Sequence, residues 1–169
     1  WRVATLYPSP SVPPTTAPVT RVAVIGGGAS GVLTAVNLLS APGSQHVRVT
    51  IHEASGIVGR GVAYGTSDPR HLLNVRARHM SAWPDVPSDL LEWAARTGRE
   101  VDPQGFLPRR DYAAYLQDTL ASVADHRLTV RAGRVDDVVP RPEGGYELHA
   151  AGTVSVADSV VLAYGNQEP

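Results

Sequence analysis

The segment Gly26-Gly27-Gly28-Ala29-Ser30-Gly31 directly follows an uninterrupted apolar run, Val22-Ala23-Val24-Ile25. The run is short and largely β-branched, which is the pattern of a strand covered on both faces. Behind the glycines, Val32, Leu33, Ala35, Val36 and Leu39 recur at helical spacing until Pro42-Gly43, so a helix over 29–40 is predicted. Val47, Val49 and Ile51 then alternate with Arg48, Thr50 and His52 up to Glu53. That alternation predicts a second strand over 47–53, with one face less buried than in the first. Strand, glycine turn, helix, strand is a βαβ unit. Its parallel pair implies an α/β fold of three layers around a central parallel sheet.

A bare G-x-G-x-x-G is a weak signal, but between a strand and a helix each glycine has a separable job. Gly26 permits the tight turn, Gly28 lets a pyrophosphate approach the backbone, and Gly31 allows the helix to pack closely on the strand. Ala29 and Ser30 open the helix, whose free N–H groups and partial positive charge suit a phosphate. The competing reading is a glycine-rich turn that binds nothing. Glu53 weighs against it, because an acid ending the second strand, about 20 residues beyond the turn, is placed to hold a ribose diol. A carboxylate there accepts hydroxyl hydrogen bonds and repels a 2′-phosphate.

Composition narrows the partners. The chain of 169 residues carries 15 basic and 16 acidic residues, a formal net charge of −1, so it has no bulk charge for a nucleic-acid backbone. It has no cysteine, which excludes disulfides, thiolate catalysis and Cys-ligated metals. Six histidines lack ligand spacing, so no metal site is expected. No apolar stretch is long enough to span a membrane and residues 1–20 lack a signal-peptide pattern, leaving a cytoplasmic protein as the default.

Residues 1–20 contain Pro8, Pro10, Pro13, Pro14 and Pro18 and read as a flexible tail before a domain over 21–169. Residues 54–87 are rich in Gly and Pro and read as irregular. Helices are predicted over 88–97 and 110–124, then short strands near 128–131, 134–139, 145–150, 153–157 and 159–164, with turns at Gly144-Gly145 and Ala151-Gly152. The later strands predict a small antiparallel region near 134–157. Asp136-Asp137 reads as an exposed strand end, Trp83 and Trp93 as packing residues, and His71 and His79 as loop residues. Arg109 and Arg110 are read equally as ligand contacts or solvated charges.

Several segments together resemble one family. They are Val22 through Gly31, Gly59-Arg60-Gly61-Val62-Ala63-Tyr64-Gly65-Thr66, His71-Leu72-Leu73-Asn74-Val75, and Met80-Ser81. With Phe106-Leu107-Pro108-Arg109-Arg110-Asp111-Tyr112, Gly133-Arg134-Val135 and Val160-Val161-Leu162-Ala163-Tyr164-Gly165-Asn166, they resemble the FAD/NAD(P)-binding proteins, relatives of the two-dinucleotide-domain flavoproteins and flavin monooxygenases. The resemblance implies a Rossmann-like FAD-binding domain, FAD as cofactor, NAD(P)H as co-substrate and a small-molecule substrate. Arg60 is read equally as a phosphate contact or a solvated charge; the resemblance implies that the backbone of Val135 reads the adenine edge and that Gly165 ends a late strand beside the cofactor. One departure is Tyr164, where the family usually has a small residue.

The resemblance further implies the first part of a larger flavin-dependent oxidoreductase, an NAD(P)H-dependent monooxygenase in its most specific form. The Gly-Asp segment that holds the flavin in such enzymes is absent. This piece alone is therefore expected to hold FAD weakly, to be inactive, and to self-associate through uncovered sheet surface. No catalytic side chain can be named. The alternatives are a non-catalytic dinucleotide-binding module and a plain NAD(P)-binding domain.

Overall fold

A computed structural model describes residues 18–165, so most of the proline-rich segment lies outside the described residues. Four parallel strands form the central sheet in the order β3-β2-β1-β7: β1 (Thr20–Ile25), β2 (Val47–Glu53), β3 (Leu128–Ala132) and β7 (Ser159–Leu162). The first strand is interior, flanked by β2 and β7. Three antiparallel strands form a second sheet in the order β4-β5-β6: β4 (Val135–Pro140), β5 (Tyr146–Ala150) and β6 (Thr153–Ala157). Four helices accompany them: α1 (Ala29–Ser40), α2 (Gly61–Tyr64), α3 (Asp89–Arg96) and α4 (Arg109–Val123).

The continuous apolar run of β1 follows from what covers each face. Val22 and Val24 join Val49 and Ile51 of β2 in the main core, under Val32, Ala35 and Val36 of α1 and Tyr115 and Leu116 of α4. Ala23 points the other way, into a second cluster with Leu148 of β5 and Ala157 of β6, lined by Ile25, Val135 and Val160. The layers are therefore helices, parallel sheet, antiparallel sheet. Burying each of these Val, Leu or Ile side chains contributes about 1.5–3 kcal/mol before conformational entropy is counted.

Element boundaries move by a residue or two from the sequence expectation, and two differences have physical causes. The stretch 54–87 is not uniformly irregular: it holds α2 and a 3-10 turn over Ala77–His79, whose Ala77 is buried. Hydrogen bonds from Leu73 N to Leu107 O and from Ala77 N to Gly105 O pin the segment to the approach to α4. The second difference is at His52. The alternation of β2 predicts a wetter face, yet His52 on that face is buried, paired in register with Ile25 of β1 and Arg131 of β3.

On the helical side, Leu90, Trp93 and Ala94 bury one face of α3. Trp93 donates Nε1–H to Asp118 at 2.8 Å, meets Tyr115 edge-on at 5.5 Å, and carries the Arg99 guanidinium 4.5 Å above its ring. Trp83 and Trp93 belong to or pack against the main core, as expected. Asp136 and Asp137 lie exposed at the start of β4, beside a register shift in its pairing with β5. No helix among the described residues is long and apolar enough to cross a membrane.

Candidate functional site

The C-terminal ends of the parallel strands open into a cleft of about 1220 Å³. From β1 the chain goes through α1 to β2 on one side, while β7 lies on the other. This reversal leaves a crevice beyond the strand ends, the usual ligand position in open α/β sheets. The cleft takes residues from the ends of β1, β2 and β7, the segment joining β3 to β4, and the loop carrying α2.

The first wall is the glycine turn. Gly26 has φ +103°, and a Cβ there would lie 2.3 Å from Ala163 O of the chain leaving β7. Glycine is required both by backbone conformation and by this neighbour. Gly26 N–H donates to His52 O at 2.8 Å, and Ala163 N–H donates to Ile25 O at 2.8 Å, so the turn is locked from both sides. Gly31 lies behind it, where a Cβ would stand 1.9 Å from Gly26 O. Packing of α1 on β1 thus excludes any side chain at Gly31, which is buried and does not line the cleft. Gly28 is the N-cap of α1, with no side-chain cap, and Gly28, Ala29 and Ser30 all face the cleft.

Glu53 forms the second wall. Its Oε2 accepts the Gly27 N–H at 2.7 Å, while Oε1 accepts Ser55 N–H at 3.0 Å and Ser55 Oγ–H at 2.8 Å. Gly27 is glycine for a reason the motif does not contain: a Cβ there would lie 2.9 Å from Glu53 Cβ and 3.0 Å from Val58 Cγ1. Reading the motif by its fixed glycines left Gly27 without a role. The contact that gives it one joins residues far apart in sequence.

A second glycine loop completes the cleft. Gly59, at φ +83°, donates its N–H to Gly27 O at 2.7 Å, and Gly61 packs its backbone against Gly28. Gln117 Nε2 of α4 donates to Val58 O at 2.8 Å and anchors this loop from below. Arg60 is exposed on the cleft rim. Arg109 also reaches the cleft, but its guanidinium donates to Leu72 O at 3.0 Å and Ala63 O at 3.4 Å, clamping two loops. Arg110 donates to Ser67 O at 3.2 Å, and His71 Nδ1 lies 2.7 Å from Thr66 Oγ1; neither lines the cleft, nor does His79.

Of the residues singled out from sequence, Gly26, Gly28, Ala29, Ser30, Glu53, Arg60, Val135 and Gly165 line one continuous cleft. Val135 opens β4 and packs against the Ala23, Leu148 and Ala157 cluster, as Ile25 does. Gly165, at φ +68°, follows Tyr164 past the end of β7, and both border the cleft. The sequence reading passed over His52, Tyr64 and Arg134, which also line it. Burial and the Arg131 guanidinium, in that order, hold the His52 imidazole below its ordinary pKa. No cluster of His, Asp or Glu suited to a metal ion occurs among the described residues.

A family model described as FAD-NAD(P)-binding matches residues 23–167. No curated protein matches the sequence. Among solved structures, the S-allyl-L-cysteine S-oxygenase from Allium sativum is similar over 87% of this chain and 36% of its own, at 18% identity and a TM-score of 0.62. The bacillithiol disulfide reductase from Staphylococcus aureus is similar over 88% and 39%, at 15% identity and a TM-score of 0.62. A thioredoxin reductase from Gloeobacter violaceus is similar over 84% and 35%, at 14% identity and a TM-score of 0.51. At these identities the likeness is one of fold. The chain spans little more than a third of the length of each of the three.

Proposed function

The chain belongs to the FAD-NAD(P)-binding family, and from that premise we propose that it is the FAD-binding domain of a flavin-dependent oxidoreductase. In its most specific form the whole protein is an NAD(P)H-dependent monooxygenase acting on a small molecule. The supporting observation is a convergence at the β1–β7 crevice: an uncapped helix N-terminus, a strand-end carboxylate and a second glycine loop face one cleft. The monooxygenase form rests on the sequence resemblance.

The residues present suit the dinucleotide. Amides of Gly28, Ala29 and Ser30 at the start of α1, with the helix's partial positive charge, hold the pyrophosphate. A Cβ on Gly28 would meet only the Gly61 backbone, at 3.6 Å, so both glycine loops leave room for phosphate against bare backbone. Arg60 adds a charged contact at the rim. Glu53 takes the ribose. Its two oxygens already accept three protein donors of about four that a carboxylate can accommodate. Glu53 would hold one ribose hydroxyl at the remaining position and the other where it now accepts from the exposed Ser55 hydroxyl. The backbone of Val135 meets the adenine edge, and Gly165 lets the end of β7 pass close to the cofactor.

The bound flavin supplies the redox chemistry, and this chain's residues position it. The test is purification of the full-length protein, a visible spectrum, and NADH and NADPH oxidation with and without candidate small molecules. A flavin spectrum with reductant oxidation and oxygen uptake is expected. A colourless protein stabilised by NAD contradicts the FAD assignment. A flavin-loaded protein inert to every reductant contradicts the oxidoreductase.

A further inference from the structure

Of the polar residues of the cleft that these contacts leave unassigned, His52 is the buried one. It is the penultimate residue of β2, between Ile25 of β1 and Arg131 of β3 in the sheet register. It is 4% exposed, and it lines the cleft. Among the described residues none hydrogen-bonds its ring. The only sealed side-chain nitrogen or oxygen without a partner among them is Arg141 Nε. The ring nitrogens of His52 therefore keep accessible surface, and what adjoins that surface is the cleft.

Ring nitrogens open only to the cleft are solvated while it holds water, and a ligand that displaces that water leaves them unsatisfied unless it hydrogen-bonds them. Packing alone does not explain a histidine here, since a β-branched apolar residue would fill a covered strand position better. The neighbours indicate what lies opposite. His52 immediately precedes Glu53, and its register partner Ile25 lines the same cleft as Val135. A neutral imidazole offers one N–H donor and one nitrogen acceptor. The adenine edge offers the matching pair, an amino donor and ring-nitrogen acceptors.

We propose that His52 is a ligand contact of this cleft, its neutral imidazole hydrogen-bonding the adenine of the bound dinucleotide. The proposal rests on the reading of the cleft as a dinucleotide site, and it adds a side-chain contact to the backbone contact assigned to Val135.

The experiment titrates AMP and FAD into the full-length protein and its His52→Leu and His52→Gln variants, with thermal melting of each in the absence of ligand. His52→Leu is expected to melt no lower than wild type, since no hydrogen bond within the protein is lost, and to lose about 3- to 10-fold in affinity for both probes. His52→Gln, which keeps a donor and an acceptor, recovers part of that loss. The wild-type protein supplies a readout independent of either variant: the His52 imidazole resonances shift on addition of AMP and not on addition of FMN. Unchanged affinities in folded His52→Leu, or unmoved resonances at saturating AMP, overturn the His52 contact and leave the dinucleotide site standing. A wild-type protein that binds neither AMP nor FAD overturns both.

Discussion

The Gly27 amide donates to Glu53 Oε2 at 2.7 Å, so the carboxylate that ends β2 also braces the glycine turn that ends β1. A residue assigned to ligand is thus part of the scaffold. Substituting Glu53→Gln keeps the shape but replaces an oxygen that accepts the amide or Ser55 with a donor. Losing a charge-assisted hydrogen bond costs about 1.5–3 kcal/mol. The expected result is a lower melting temperature together with weaker FAD binding, by about 10- to 150-fold. Glu53→Arg, which also removes the ribose acceptor and adds bulk, should weaken binding further. Isothermal titration with FAD and a melt of the free protein separate the two effects. Unchanged FAD affinity in either variant makes Glu53 a scaffold residue alone.

Gly31→Ala tests the close packing of α1 on β1. The added Cβ would lie 1.9 Å from Gly26 O, which is backbone and has no rotamer to move. Overpacking of this kind typically costs 1–3 kcal/mol, occasionally more, so about 3 kcal/mol or loss of folding is expected. Denaturant unfolding measures it. A fully stable variant would mean that α1 can slide away from β1.

Much of this site is legible in the sequence because its determinants are local. The glycines at 26, 28 and 31 and the periodicity of α1 declare the βαβ unit within a single stretch of chain, and Glu53 follows at a characteristic distance. What is not legible depends on distant contacts. The need for glycine at Gly27 arises from Glu53 and Val58. His52 is flanked in the sheet by Ile25 and by Arg131 of the distant β3, and the turn at Gly26 is closed by Ala163. In each case the residue type was visible, while the neighbour that gives it meaning is brought up by the topology.

Away from the cleft, Tyr115 joins α4 to two other segments. Its hydroxyl donates to Asp89 Oδ2 at 2.6 Å and accepts the buried Ala82 N–H at 2.7 Å. Burial, reinforced by the Asp89 carboxylate, pushes its pKa up, so it stays a neutral donor. Tyr115→Phe leaves both partners unsatisfied, and a loss of about 1–3 kcal/mol in unfolding free energy is expected. FAD affinity should not change, since Tyr115 does not line the cleft. Urea unfolding with a parallel FAD titration checks both halves.

The His52 pKa sets a pH dependence of definite sign. Burial first, and the Arg131 guanidinium second, lower it in the folded protein. As pH falls, the unfolded chain takes up this proton first, near the ordinary histidine value of about 6.5. Keeping His52 neutral thus costs nothing above about pH 6.5, and stability declines as pH drops from there toward the folded pKa. His52→Leu lacks this titration, so its unfolding free energy should fall less steeply over that window. Parallel slopes in wild type and variant would contradict the assignment.

The central claim is that the cleft at the β1–β7 crevice holds FAD by its adenosine diphosphate half. Competition calorimetry on the full-length protein tests it most directly. FAD is titrated alone, in the presence of excess AMP, and in the presence of excess FMN. The account predicts that AMP competes with FAD, that FMN competes far less, and that Glu53→Arg abolishes the AMP effect. Competition by FMN but not by AMP would place the flavin end in this cleft and contradict the account.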